Sequence, residues 1–189
     1  MDRHYDLEYR PDYETTPELF IQYGSVYKDA FEAALTHYLE HEPMHDYSLA
    51  PLVMLLVHYI ELSMKGIILH INPSYPNIGQ HNISILYPDA LKELRGKYGD
   101  PGEANTDAES FILELGKFDR MSQAFRYPVD RGGKPFNYST NTFYQKITTL
   151  TGLVEISNAV IGDVEGLVAF RDIMRENEEE GWRNADMDR

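Results

Sequence analysis

Glu61 and Lys65 stand four residues apart inside an otherwise apolar run from Leu49 to Ile71. That spacing puts them on one face of a helix with the acid first, the favourable order for an ion pair. At a surface such a pair contributes only about 0.3–0.5 kcal/mol. Among apolar neighbours both charges must be paired and hydrogen-bonded, because an isolated buried charge is costly. The pair is therefore either a structural lock on helix register or part of a binding or catalytic site. His58 shares the Glu61 face three residues earlier, and His81 can approach from the next helix, so a His-Glu-His metal site is geometrically conceivable. No His-Glu-x-x-His pattern is present; each histidine reads first as a core or cap residue, and no metal is assigned.

The stretch Asp119–Lys134 is locally positive, with Arg120, Arg126, Arg131 and Lys134 against Asp119 and Asp130. Gly132 and Gly133 expose backbone amides, so the segment suits a phosphate or a nucleic-acid backbone. Phe125, Tyr127 and Phe136 offer faces on which a base can stack. The competing reading is structural: Arg126 pairs with Asp130 or Glu61, and Pro128 shapes a turn. No Ser-His-Asp order, Walker-type glycine loop or paired-carboxylate signature is present.

Helices must carry these groups. Residues 1–16 read as a polar, tyrosine-rich arm. Thr15 and Glu18 form a capping box around Pro17, and Phe20, Tyr23, Tyr27, Phe31, Ala34, Leu35 and Tyr38 then make one apolar helical face ending near His41–Pro43. A second helix follows from Ser48, with Pro51 in its first turn; apolar on nearly every side, it is expected at the centre. The third opens at His81–Asn82 and meets Pro88, which predicts a kink or split. Thr106 and Glu109 form a second capping box opening the fourth. After a Pro- and Gly-rich loop that has room for a short hairpin at Tyr127–Tyr138, the steps Phe143, Ile147, Leu150, Val154, Ile161, Val164 and Val168 predict a closing helix from about Thr140 to Arg175. Its glycines, Gly152, Gly162 and Gly166, mark either close helix packing or a break. A helical-bundle domain over 17–176 and a solvated acidic tail over 177–189 complete the layout.

With 189 residues, 42% of them hydrophobic, a single all-α domain with a substantial core is expected. The absence of cysteine excludes disulfides, thiolate metal sites and a cysteine nucleophile. No signal-peptide pattern opens the chain, and His58, Glu61 and Lys65 interrupt the one long apolar run, so a cytoplasmic protein that does not span a membrane is expected. The formal charge of −14 opposes non-specific nucleic-acid binding, which would need a local basic patch; the same charge also serves simple solubility.

Three blocks, Glu61–Leu62–Ser63–Met64–Lys65, then Gly79–Gln80–His81–Asn82 leading to Leu86, then Phe125–Arg126–Tyr127–Pro128–Val129–Asp130, resemble the HEPN superfamily of helical-bundle domains in content and order. The resemblance spans about residues 20–175. It implies an antiparallel bundle of four to five helices, commonly a homodimer, tied to toxin–antitoxin and phage-defence systems. The family's ribonuclease branch uses an arginine followed four to six residues later by a histidine. Here every histidine lies at or before His81 and no arginine is so followed, and Asn82 replaces the usual acidic residue. The expectation is therefore a non-catalytic HEPN-like domain without a cofactor, binding a nucleotide, RNA or a protein partner through Glu61, Lys65, His81, Arg126, Tyr127 and Asp130. One alternative is a metal-independent endoribonuclease with His81 as acid or base and Arg126 stabilising phosphorane charge. Another is an acidic antitoxin or inhibitor that covers a basic partner.

Overall fold

The computed structural model describes residues 16–41, 49–118, 125, 134, 147 and 149–187, with residue 16 and residues 184–187 as backbone only. Five helices account for most of them: α1 (Thr16–Glu40), α2 (Ala50–Ile71), α3 (Ile83–Tyr98), α4 (Thr106–Phe118) and α5 (Leu150–Met187). No strand occurs among the described residues, so the architecture is an all-α bundle.

The apolar run that looked central in sequence is central in the fold. In α2, Leu52, Leu56, Ile60, Met64, Ile67 and Ile68 are all fully buried, each contributing about 1.5–3 kcal/mol of transfer free energy. By length and composition α2 is the one described helix that passes for a membrane span, yet it is buried within the bundle. Helix α1 lies antiparallel along it through Gly24 and Gly66. A Cβ at Gly24 would sit 3.1 Å from Ser63 Oγ, and one at Gly66 would collide with Ile21 and stand 2.9 Å from Pro17 O. Helix α4 is likewise antiparallel to α3, its Gly116 pressed against Ser84 and Asn82. Between α2 and α3 the sense is the same: His81 meets Glu61 and Tyr98 meets His70, because residues 72–82 run back along α2 before α3 begins. Helix α5 closes the bundle against α1, α2 and α4.

Local chemistry explains the boundaries. Asn82 caps α3, its Oδ1 accepting from Ser84 N at 2.9 Å, and Gly99 ends the helix at φ 90°. Pro88 does not split α3. It is exposed, so water can satisfy the carbonyl that its missing N–H leaves open, and the helix runs unbroken. The cap of α4 is Asn105 rather than Thr106: Asn105 Oδ1 accepts from Asp107 N at 3.1 Å and Ala108 N at 3.2 Å. At the described start of the closing helix Thr149 Oγ1 accepts from Gly152 N at 3.0 Å, and Ile147 just before it is also helical; the expected start at Thr140 lies outside the described residues. The helix then continues past Arg175 to Met187. Lys97 and Tyr98 hold Glu178 at 3.0 and 3.1 Å, and Glu179 lies between Arg175 and Arg183, which supports the added turns. Gly162 and Gly166 mark neither a break nor a close approach: a Cβ at either would meet nothing within 4 Å. The Thr15 cap, residues 1–15, the Tyr127–Tyr138 hairpin and the end of the tail lie outside the described residues.

Candidate functional site

Three of the expected site residues come together. Glu61 lies on α2 and is 3% exposed; its Oε1 accepts from Lys65 Nζ at 2.8 Å, one turn along the same helix. The same oxygen lies 2.9 Å from Nδ1 of His81, immediately before the Asn82 cap of α3. Two local features aim His81. Gln80 Oε1 accepts from the backbone N–H groups of His81 and Asn82 at 3.0 and 3.1 Å, fixing the chain, and Asn82 starts the helix. Asn82 thus fills the capping role that an acidic residue performs equally well.

Charge and burial divide the cluster in two. Glu61 and Lys65 have side chains only 5% and 6% exposed, whereas the His81 side chain is 56% exposed. The buried pair is a fixed base and the imidazole is its accessible end. Glu61 Oε1 carries both contacts, while Oε2 is buried and has no hydrogen-bond partner. A carboxylate at Nδ1 favours the tautomer with the proton on that nitrogen, which makes Nε2 the acceptor of the ring.

Leu62, next to Glu61 in sequence, helps line an apolar hollow of about 380 Å³ with Leu19, Phe20, Tyr23, Tyr27 and His58. Tyr23, placed by periodicity on the buried face of α1, is 63% exposed there. His58 does not turn towards Glu61. Its Nδ1 lies 2.8 Å from Met54 O and its ring stacks on Tyr27 at 5.0 Å, as the core-or-cap reading expects. Among the described residues no group of three metal-ligating side chains forms.

Arg126, Tyr127 and Asp130 lie outside the described residues, as do Arg120, Arg131 and Phe136. Phe125 is 8% exposed and packs on Phe118 with ring centroids 6.2 Å apart, so it belongs to the core and is not a free stacking face. Lys134 is exposed.

A polar set that periodicity did not reveal joins α3, α4 and α5. Tyr87 Oη donates to Asp163 Oδ2 at 2.6 Å, and Asp163 Oδ1 accepts from Asn105 N at 2.8 Å. Burial and the Asp163 carboxylate push the Tyr87 hydroxyl well above the ordinary tyrosine range, so it remains a donor. This set ties α5 to the N-terminus of α4, and each of these polar atoms is bonded within it. The Glu61 cluster differs from it in presenting a histidine to solvent.

No family model matches the chain, and no curated protein and no solved structure matches it either.

Proposed function

We propose that the chain is a HEPN-like helical domain that binds RNA or a nucleotide at the Glu61–Lys65–His81 cluster, acting as a homodimer in a toxin–antitoxin or phage-defence setting. One observation carries the reading: an exposed imidazole braced at Nδ1 by a buried, lysine-paired carboxylate. The half-exposed imidazole stands at the edge of a buried ion pair, where a ligand can reach it. Held in this way, Nε2 can contact a phosphate or the edge of a base, while Tyr23 and Tyr27 in the neighbouring hollow offer sequence-tolerant stacking surfaces. The net charge of −14 makes such binding depend on the local site and not on the general surface field. The test is titration of the purified chain with short RNAs and with nucleotides at 150 mM salt. His81→Ala should weaken binding at least tenfold with helicity unchanged; equal affinity in the variant and the parent would remove His81 from the site.

The Glu61 brace also favours a second reading, a metal-independent endoribonuclease. In that reading His81 Nε2 takes the proton of the attacking 2′-hydroxyl, the 2′-oxygen bonds to phosphorus, and the 5′-oxygen leaves with a proton, giving a 2′,3′-cyclic phosphate. RNA should then be cut in the presence of EDTA, and not by His81→Ala. RNA that stays intact while still binding eliminates cleavage and leaves the binding proposal standing.

A further inference from the structure

On the opposite face of α2 a second polar network joins four helices, and it is short of acceptors. Glu18 of α1 is shared: its Oε1 lies 3.4 Å from Arg175 Nη1 and 3.9 Å from His70 Nδ1. Asp172 is shared as well, between Arg171 Nη2 and, at 3.7 Å, Arg175 Nη2. From α3, Tyr98 Oη lies 3.4 Å from His70 Nε2, and Lys97 sits over the Tyr98 ring while bonding Glu178 at 3.0 Å. Glu179 Oε1 stands 3.9 Å from Arg175 Nε, an ion-pair distance too long for a hydrogen bond, and three donor nitrogens make no hydrogen bond at all. Arg171 Nε, Arg171 Nη1 and Arg175 Nε are buried and have no hydrogen-bond partner. Arg171 as a whole is 3% exposed.

A buried guanidinium with one of its five N–H groups used is costly, and a guanidinium fork matches the oxygens of a tetrahedral anion. Burial and the nearby Arg171, Lys97 and Arg175 charges hold the His70 imidazole below its ordinary pKa, against the pull of Glu18. The corner also holds four carboxylates, Glu18, Asp172, Glu178 and Glu179, so its unused N–H groups, and not an excess of charge, mark it for a further acceptor.

We propose that Arg171, Arg175 and His70 form an oxyanion site that takes a phosphate group. Phosphate oxygens accept from Arg171 Nε and Nη1 and from Arg175 Nε, where the anion displaces the half-exposed Glu179 carboxylate, while Glu18 and Asp172 keep their contacts with the two guanidinium groups. The site stands apart from the His81 cluster and does not depend on it.

The test uses the full chain at pH 7 and fixed ionic strength, with chloride exchanged for inorganic phosphate or for glycerol phosphate. Phosphate should raise the melting temperature in a saturable manner and move the His70 ring resonances, with its pKa shifted up by the bound anion. A response to both compounds marks a pocket for the terminal phosphate of a larger ligand; a response to inorganic phosphate alone marks a site for the free anion. Arg171→Met and, as a second variant, Arg175→Gln should each weaken the response at least tenfold. The movement of the His70 resonances should be the same in His81→Ala, so that failure here and failure of RNA binding are separable. No melting shift up to 50 mM phosphate, or a shift that persists in Arg171→Met, overturns the proposal and leaves trapped water as the partner of these donors.

Discussion

The two polar clusters on α2 have opposite deficits. On one face Glu61 satisfies Lys65 and His81 through a single oxygen and keeps Oε2 unpaired, so that cluster lacks a donor. On the other face Glu18 and Asp172 are shared among His70, Arg171 and Arg175, and three guanidinium nitrogens make no hydrogen bond, so that cluster lacks acceptors. Neither imbalance is expected of a purely structural network, which tends to close on itself as Tyr87, Asp163 and Asn105 do. The difference also concerns dependence: Lys65 has one anionic partner and is buried with it, whereas the arginine cluster spreads its charge over partners that are partly in water.

The largest expected effect follows from that dependence. Glu61→Ala strands the Lys65 ammonium and should cost about 3–5 kcal/mol, measured by urea unfolding. Replacing both partners, Glu61→Leu with Lys65→Met, should recover most of the loss, since neither then leaves a charge behind. If the single and double variants are equally destabilised, the pair is not the reason these residues tolerate burial. Next in size is Gly66→Ala. The new methyl meets Ile21 and Pro17 O and so pushes on the first turn of α1, the turn that carries Glu18. A loss of about 1–3 kcal/mol is expected, together with a weakened phosphate response but normal contact between Glu61 and His81. Arg171→Met should move stability by no more than about 1 kcal/mol in either direction, because Asp172 keeps Arg175 and is partly solvated. A loss as large as that of Glu61→Ala would erase the contrast between the faces.

The two clusters were not equally legible. Glu61 and Lys65 could be read because they are one helical turn apart on a helix whose other residues are apolar, and His81 because it precedes a helix start. The Arg171 cluster could not: its members come from α1, α2, α3 and α5, and in sequence Arg171 and Arg175 look like the polar end of an amphipathic helix. The same reason separates the glycines. The step from Gly162 to Gly166 has the spacing of a packing motif, yet no neighbour stands opposite it, while Gly24, Gly66 and Gly116 sit where helices touch. Spacing along one helix reports its own faces; it carries nothing about which element arrives from elsewhere. All five described helices were legible as periodic segments; the differences lie in an exposed Pro88 that α3 carries without a break, in the length of α5 and in the cap of α4, where the single side chain of Asn105 decides.

The smallest expected effect is a pH dependence carried by His70. His70 is depressed, chiefly by desolvation and then by Arg171, Lys97 and Arg175, with Glu18 opposing; Tyr98 lies at its other nitrogen and Glu178 beyond. A histidine whose folded pKa lies below its unfolded value of about 6.5 binds more protons when unfolded, so stability rises with pH across that interval. The contribution is complete above about pH 6.5 and is lost as pH falls towards the folded pKa. His70→Gln should therefore flatten this part of the stability curve, followed by urea unfolding between pH 5 and 7.5. Saturating phosphate raises the folded pKa of His70 and should flatten the parent's curve in the same interval, while leaving the His70→Gln curve unaltered in slope. A parent slope indifferent to phosphate would separate His70 from the arginine donors, and the anion site would then have to be drawn without it.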